Sequence, residues 1–208
     1  MAASNGLNGL VRVTATYALG DGFLIHRLGE LHDRHPGIDI ELINDTRIVS
    51  LARREADIAL RQGSSQESDL TACRVASIAF GLYASPAYRD KLEAGHRAAF
   101  IGFDQDSDFI FEAAWLTRQF PARRFVFRTN SQMSQAAAAR AGYGLALLPR
   151  YLAANDPGLV NIPSGEPIPN RDVWLLIRRD LATVQPIRAV AEYLIELFRR
   201  ERHVLAND

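Results

Sequence analysis

Apolar residues along this chain of 208 residues recur in short runs with strand character and in longer stretches with a helical period. Residues 10–15 read as a strand, and residues 56–60 predict a short buried strand. Residues 38–42 alternate apolar with acidic side chains, which predicts an edge strand or a strand that faces a partner. Leucines at i, i+4 and i+7 predict a helix that begins near Asp21 and ends before Pro36. The first third of the chain therefore predicts alternating strands and helices.

The second half repeats this alternation. Residues 99–103 predict a strand, and a helix follows through Trp115. Residues 124–149 contain a strand, a polar turn, an alanine-rich helix, a glycine turn and a second strand, which together predict a βαβ unit. Residues 76–84 are apolar enough for one long strand that crosses between the halves, whereas residues 155–170, with four prolines and two glycines, predict a connector.

The end of the chain predicts a return to the first half. Residues 173–177 read as a last strand, and a helix from about Val184 carries one apolar stripe made by Val190, Tyr193, Leu194, Leu197 and Phe198. We therefore expect an α/β fold of two lobes: residues 10–84 with 166–208 as lobe I, residues 85–165 as lobe II, and residues 1–9 as a linker remnant or tag. A cleft faced by strand ends and helix starts is where small ligands are expected.

Composition and charge narrow the function classes. Lys+Arg and Asp+Glu number 24 each, so no basic excess indicates that this chain itself binds nucleic acid. Cys73 is the only cysteine, which excludes an internal disulfide and is typical of a reducing compartment. The first residues lack a signal peptide's basic and apolar regions, and no apolar run approaches the ~20 residues that span a bilayer. These features favour a cytoplasmic protein without a membrane partner.

Five segments, in their order and spacing, resemble the effector-binding domain of LysR-type transcriptional regulators. They are LVRVTA, FLIHRLGELHDRHPGIDIEL, READIALRQG, FGLYASPAY and NSQMSQAAAARAGYGLALLPRYLA. The likeness extends from about Leu10 to Phe198. It implies the fold of type 2 periplasmic binding proteins, with an inducer cleft between the lobes and side-by-side dimers within larger oligomers. Relatives begin with a winged helix-turn-helix that this sequence does not contain, so we expect DNA contact only through a domain absent from this chain.

The resemblance and the positions of the turns single out nine candidate ligand contacts. In the first lobe these residues follow predicted strands, namely Thr16, Tyr17, Ala18, Thr46, Arg61 and Gln62. In the second lobe they are Phe103, Asn130 and Ser131. An arginine that leaves a buried apolar strand needs an acceptor, and a ligand carboxylate can accept from it in a bidentate manner. The predicted ligand is therefore a small organic effector with a carboxylate as its candidate charged group.

Several of these residues also have a structural interpretation. Arg61 can equally form a salt bridge with Asp57, Asp45 or Asp104, and Thr46 can simply cap the helix that follows it. The same applies to the turn at residues 129–131, where Thr129, Asn130 or Ser131 can be the helix cap. Tyr17 can stack on a ligand ring or cover the cleft edge. The aromatic side chains of the second lobe, Phe109, Phe111 and Trp115, are assigned to its core.

No catalytic or metal-binding constellation is found in the sequence. His26, His32 and His35 share one predicted helix, but no further ligand completes a site and HDRH is not the HExxH of zinc proteases. Phosphate-binding and nucleophile-elbow motifs are absent, so we expect neither an enzyme nor a cofactor. The sequence thus predicts a sensor domain that assembles as a homodimer or homotetramer. The alternative is a solute-binding receptor of a transport system, which would use the same cleft as a monomer.

Overall fold

Two five-stranded sheets organise the structure, a computed structural model that describes residues 7–44, 56–63, 69–105 and 110–206. Residues up to Ser77, with Arg171–Val204, form the first unit, and Ile78–Asn170 form the second. Helices accompany both sheets, so the predicted α/β class is confirmed.

The first unit has the strand order β2-β1-β3-β10-β4. Its strands are β1 (Gly9–Ala15), β2 (Ile38–Asn44), β3 (Ile58–Gln62), β4 (Leu70–Ile78) and β10 (Arg171–Arg178). Strands β2 and β3 both run parallel to β1, whereas β10 is antiparallel to β3. Its helices are α1 (Tyr17–Leu19), a π-helical turn (Gly20–Leu24), α2 (Leu28–Arg34) and α7 (Gln185–Arg200), and the short α8 (Arg202–Leu205) ends the helical part of the chain. The predicted edge position of residues 38–42 is confirmed by β2.

The first helical segment begins earlier than predicted. Thr16 is the N-cap of α1, and its hydroxyl accepts a hydrogen bond from the Leu19 amide at 3.4 Å. The start predicted near Asp21 was therefore wrong, because Gly20 has a helical φ of −64° and does not interrupt the helix. The second predicted helix of this lobe, after Thr46, lies outside the described residues.

Helix α7 supplies the core of the first unit with its apolar stripe. The five residues predicted for this stripe are all buried, and Leu194, Leu197 and Phe198 are fully inaccessible. The Phe198 ring stacks on Phe23 of the π-helical turn with 5.3 Å between centroids. A strongly amphipathic helix of 16 residues is predictable because its stability comes from burying one face.

The second unit has the strand order β7-β6-β8-β5-β9. Its strands are β5 (Phe80–Ala84), β6 (Ala99–Gly102), β7 (Arg124–Arg128), β8 (Leu145–Pro149) and β9 (Val160–Ile162). Strands β7 and β8 both run parallel to β6, whereas β8 and β9 are antiparallel to β5. Its helices are α3 (Pro86–Glu93), α4 (Phe111–Gln119), α5 (Gln132–Arg140) and α6 (Arg150–Ala153).

The βαβ unit predicted for residues 124–149 is confirmed by β7, α5 and β8. Among the three candidate caps, Ser131 is the N-cap of α5, and its hydroxyl accepts from the Ser134 amide at 3.4 Å. Thr129 accepts from the Ser131 amide at 3.3 Å, which fixes the turn before the helix. The buried alanines Ala136, Ala138 and Ala139 let α5 approach the sheet closely.

Two predicted segments differ from the structure. Residues 76–84 are not one strand, because the chain leaves β4 at Ile78 and starts β5 at Phe80 in the other sheet. Strand β5, which the predicted boundary after residue 84 left in lobe I, thus pairs with β8 and β9 of the second sheet. The proline-rich connector contains β9, a strand of three residues that is too short to show a period.

Candidate functional site

The carboxyl ends of β1 and β3 bring several predicted site residues to one edge of the first sheet. These strands are parallel neighbours, with Thr14 level with Ala59. The residues that follow the two paired positions, Thr16 and Arg61, therefore lie at the same edge. Side chains at the carboxyl ends of parallel strands are the usual ligand contacts of open α/β sheets.

The turn after β1 presents one exposed aromatic ring beside buried neighbours. Tyr17 is 41% exposed, whereas Ala18 is 3% exposed and can offer little beyond its backbone. The Thr16 hydroxyl is engaged as the helix cap, so its second lone pair is what remains for a further donor. Tyr17 is thus the most accessible of the three predicted contacts in this turn.

Arg61 is held against its own sheet edge. Its guanidinium donates to the Leu60 carbonyl at 3.0 Å and to the Thr14 hydroxyl at 3.1 Å. Thr14 is fully buried, so the hydrogen bond ties the arginine to a rigid strand. Asp57, one proposed salt-bridge partner, accepts a hydrogen bond from the Arg12 amide at 2.8 Å. The guanidinium is therefore fixed at the carboxyl edge of the sheet.

Asn44, at the end of β2, belongs to the same edge and was missed by the sequence analysis. It is level with Ala15 of β1, and its amide donates to the Asp21 carboxylate. Its Oδ1 is buried and has no hydrogen-bond partner among the described residues. A Cβ at Gly20 would lie 1.8 Å from that oxygen, so a glycine is needed for the amide to reach this position. The sequence feature that could have indicated Asn44 is its position as a polar residue at the end of an apolar strand.

In the second unit the carboxyl ends of β6 and β7 meet in the same way. Gly102 is level with Arg128, and the Thr129 amide donates to the Gly102 carbonyl at 3.1 Å. Arg128 donates to the Phe103 carbonyl at 2.9 Å, which joins the turns after the two strands. Phe103 is nearly buried and Asn130 is exposed, so the amide is the more accessible contact.

A buried polar cluster lies behind this second edge. Glu112 and Gln132 stand in the first turns of α4 and α5, and the Gln132 amide donates to the Glu112 carboxylate at 3.0 Å. The hydroxyl of Tyr151 is also buried. Desolvation, and then the negative charge of Glu112, hold the pKa of this hydroxyl far above the ordinary value. Gln135 is 1% exposed. The sequence pattern did not indicate these residues, because polar side chains on amphipathic helices are normally assigned to the surface.

Other predicted features are placed as follows. Thr46 lies outside the described residues, so its role as a ligand contact stays a prediction. Within the described ranges, no group of three or more His, Cys, Asp or Glu side chains is arranged to hold a metal ion. The helices described between residues 7 and 206 include none with the length and apolarity needed to cross a bilayer.

Sequence comparison identifies the family. The profile described as LysR substrate binding domain matches residues 4–199. The Mau operon transcriptional activator of Paracoccus denitrificans is 24% identical over 90% of this chain and 64% of its own length. The transcriptional activator AmpR of Pseudomonas aeruginosa is 28% identical over 85% of this chain and 62% of its own. The chain spans less than two thirds of either relative, and both relatives are transcriptional regulators rather than enzymes.

Solved structures show the same fold. The regulatory domain of CrgA, a LysR-type transcriptional regulator from Neisseria meningitidis, superposes with a TM-score of 0.78 at 20% identity, covering 91% of this chain and 98% of that one. The effector domain of AmpR from Pseudomonas aeruginosa gives 0.71 at 18% identity, covering 94% and 98%. These matches confirm the predicted periplasmic-binding-protein-like fold. The chain belongs to the family of LysR substrate-binding domains, the effector-binding part of LysR-type transcriptional regulators.

Proposed function

We propose that this domain senses a small organic acid through side chains at the carboxyl edges of its two sheets. The contacts in the first unit are Tyr17, Arg61 and Gln62, and those in the second are Asn130 and Ser131. The observation that carries the proposal is the position of Arg61, a guanidinium fixed at the end of a buried strand. Such a group binds a carboxylate at a low entropic cost, because its geometry is already set.

The second unit supplies neutral polar groups. Asn130 is exposed beside the start of α5, and Ser131 caps that helix. A helix start carries a partial positive charge and backbone N–H groups, which favour an anionic or strongly polar ligand group. A ligand that contacts both edges would stabilise one arrangement of the two units over others, since it shifts an equilibrium by its difference in affinity for the two states.

The output of the sensor is a change in assembly. We infer that the domain works within a homodimer or homotetramer and that DNA is bound by a separate N-terminal domain of the regulator. Strand β2 is a candidate dimer contact, because it is an edge strand with exposed acidic residues at Asp39 and Glu41. Effector binding and oligomer packing are then thermodynamically coupled. A cytoplasmic location fits this role.

Calorimetric titration with a panel of small carboxylic acids tests the ligand class. For an acid that binds the native chain, we expect Arg61→Gln to weaken binding by roughly 10- to 100-fold, since a hydrogen bond to a charged group contributes about 1.5–3 kcal/mol. Arg12→Gln is the matched control: Arg12 is on the neighbouring strand, but its side chain pairs with Glu41 at 2.8 Å. We expect that variant to keep the native affinity.

Equal affinities for the native chain and Arg61→Gln would remove Arg61 from the site. Sedimentation addresses the transport alternative: a chain that stays monomeric at micromolar concentration, with and without the acid, would favour a solute receptor. A dimer whose dissociation constant changes when the acid is added supports the sensor.

A further inference from the structure

A pocket of about 490 Å³ lies within the second unit. Its walls come from β5, β9, α6 and the proline-rich segment that follows β9. None of the eight predicted ligand residues that the structure describes lines it. The volume is within the range of small-molecule sites, roughly 300–1,000 Å³.

A polar group is built into one wall around Gly81. A Cβ on Gly81 would lie 2.6 Å from the Asn161 amide nitrogen and 2.8 Å from the Tyr83 ring, so these two side chains cover the bare glycine backbone. Tyr83 is 5% exposed, and the Asn161 amide donates to the Leu82 carbonyl at 3.4 Å. Glycine at this position thus lets a tyrosine and an asparagine lie side by side in the wall.

Arg150 brings a positive charge to the same group. Among the lining residues that the structure describes, it is the only charged one. Burial raises the pKa of the Tyr83 hydroxyl, and a hydrogen bond with Asn161 and the positive charge of Arg150 oppose that rise. The three side chains line the same pocket. A guanidinium has five N–H donors and can donate to an anionic ligand in addition to its other contacts.

Ile162 and Ile168 are half-buried and give the pocket its apolar contacts, and Ser164 adds a hydroxyl to the wall. Phe80, Leu82 and Leu159 also line the pocket but are buried. A guest that complements the pocket needs an anionic group for Arg150, a hydroxyl for Asn161 or Tyr83, and a small apolar part for Ile162 and Ile168. We propose that this pocket is a second binding site, specific for a small hydroxy acid with an apolar substituent.

The second site is separate from the proposed effector site, because the two share no residue. Mandelate is a suitable probe: it combines a carboxylate, an adjacent hydroxyl and a phenyl ring. Its neutral counterpart mandelamide keeps the shape and loses the charge. Titration of the isotopically labelled chain by NMR, to about 10 mM probe, detects binding with dissociation constants up to the millimolar range.

The expected result is a set of saturable shifts at Gly81, Asn161 and Arg150, with mandelamide binding at least 10-fold more weakly. Arg150→Gln should weaken mandelate binding by 10-fold or more, since a charge-assisted bond is lost. Arg61→Gln should leave it unchanged, even where that variant removes binding of an acid at the effector edge.

Asn161→Asp provides a second test if Arg150→Gln does not fold. It places a negative charge on an exposed strand residue and should weaken mandelate more than mandelamide. Absence of shifts at the pocket, equal binding of the acid and the amide, or loss of mandelate binding in Arg61→Gln would each overturn the second site. The first two outcomes leave the effector proposal standing, and the last would merge the two sites.

Discussion

Truncation of Phe198 should destabilise the first unit and leave the stability of the second unchanged. Phe198 is fully buried in α7 and stacks on Phe23. Replacing a buried phenylalanine by alanine costs about 3–5 kcal/mol, of which the stacked pair accounts for ~0.5–1.5 kcal/mol. Ile195→Ala, on the same helix but 38% exposed, is the matched control. Ile195→Ala should cost less than ~1 kcal/mol, because the Ile195 side chain buries less apolar area in the folded state than Phe198 does.

The chain has two tryptophans, and each unit contains one of them. Trp174 lies in β10 of the first unit and Trp115 in α4 of the second. Urea titration of fluorotryptophan-labelled chain therefore gives each unit its own NMR signal. With a slope near 2 kcal/mol per molar urea, a loss of 4 kcal/mol lowers the midpoint by about 2 M. We expect this lower midpoint for the Trp174 signal of Phe198→Ala. A shift under about 0.5 M, or an equal shift of Trp115, would refute the reasoning.

Two further predictions concern an ion pair and two glycines. Hydrogen bonds from Arg200 and then Arg34 lower the pKa of Glu30 to about 2. The stability that Glu30 contributes is therefore present above pH 4.5 and is lost as the pH falls toward 2. Glu30→Gln should reduce the change in melting temperature over that pH range, and an unchanged pH dependence would contradict this. Gly144→Ala should destabilise by ~1–3 kcal/mol, because a Cβ would lie 2.4 Å from the Ala99 carbonyl oxygen, whereas Gly29→Ala, with open space around it, should stabilise by up to ~1 kcal/mol in urea titrations.

The elements predicted best are those whose stability comes from one long periodic face. Helix α7 has 16 residues and a continuous buried stripe, so both its start and its buried side chains followed from spacing. Strand β9 has three residues and was missed, because a strand of that length is defined by its pairing with β5 and not by a pattern of its own. The break between β4 and β5 was missed for a related reason: both strands are apolar near Ala79, and only the change of sheet separates them.

The location of candidate residues such as Arg61 at a sheet edge was predictable from the sequence, but their hydrogen-bond partners were not. Arg61 follows an apolar run, which indicates a residue at a sheet edge. Its contact with Thr14 depends on the register between β1 and β3, which sequence spacing does not contain. Glu112 and Gln132 show the same limit. Each is an ordinary polar residue at a helix start, and they become a buried pair only because α4 and α5 converge.

Polar residues at strand ends are easy to locate in the sequence and are also suited to binding ligands, for the same physical reason. The apolar pattern of a strand stops at its end, where a polar side chain is tolerated. In a parallel sheet these polar side chains lie along one edge, as Thr16, Asn44 and Arg61 do at the ends of β1, β2 and β3. Polar groups gathered at one edge cannot all be paired by their neighbours, and Asn44 keeps a buried oxygen with no partner among the described residues. The capacity that folding leaves unused there is what a ligand can satisfy.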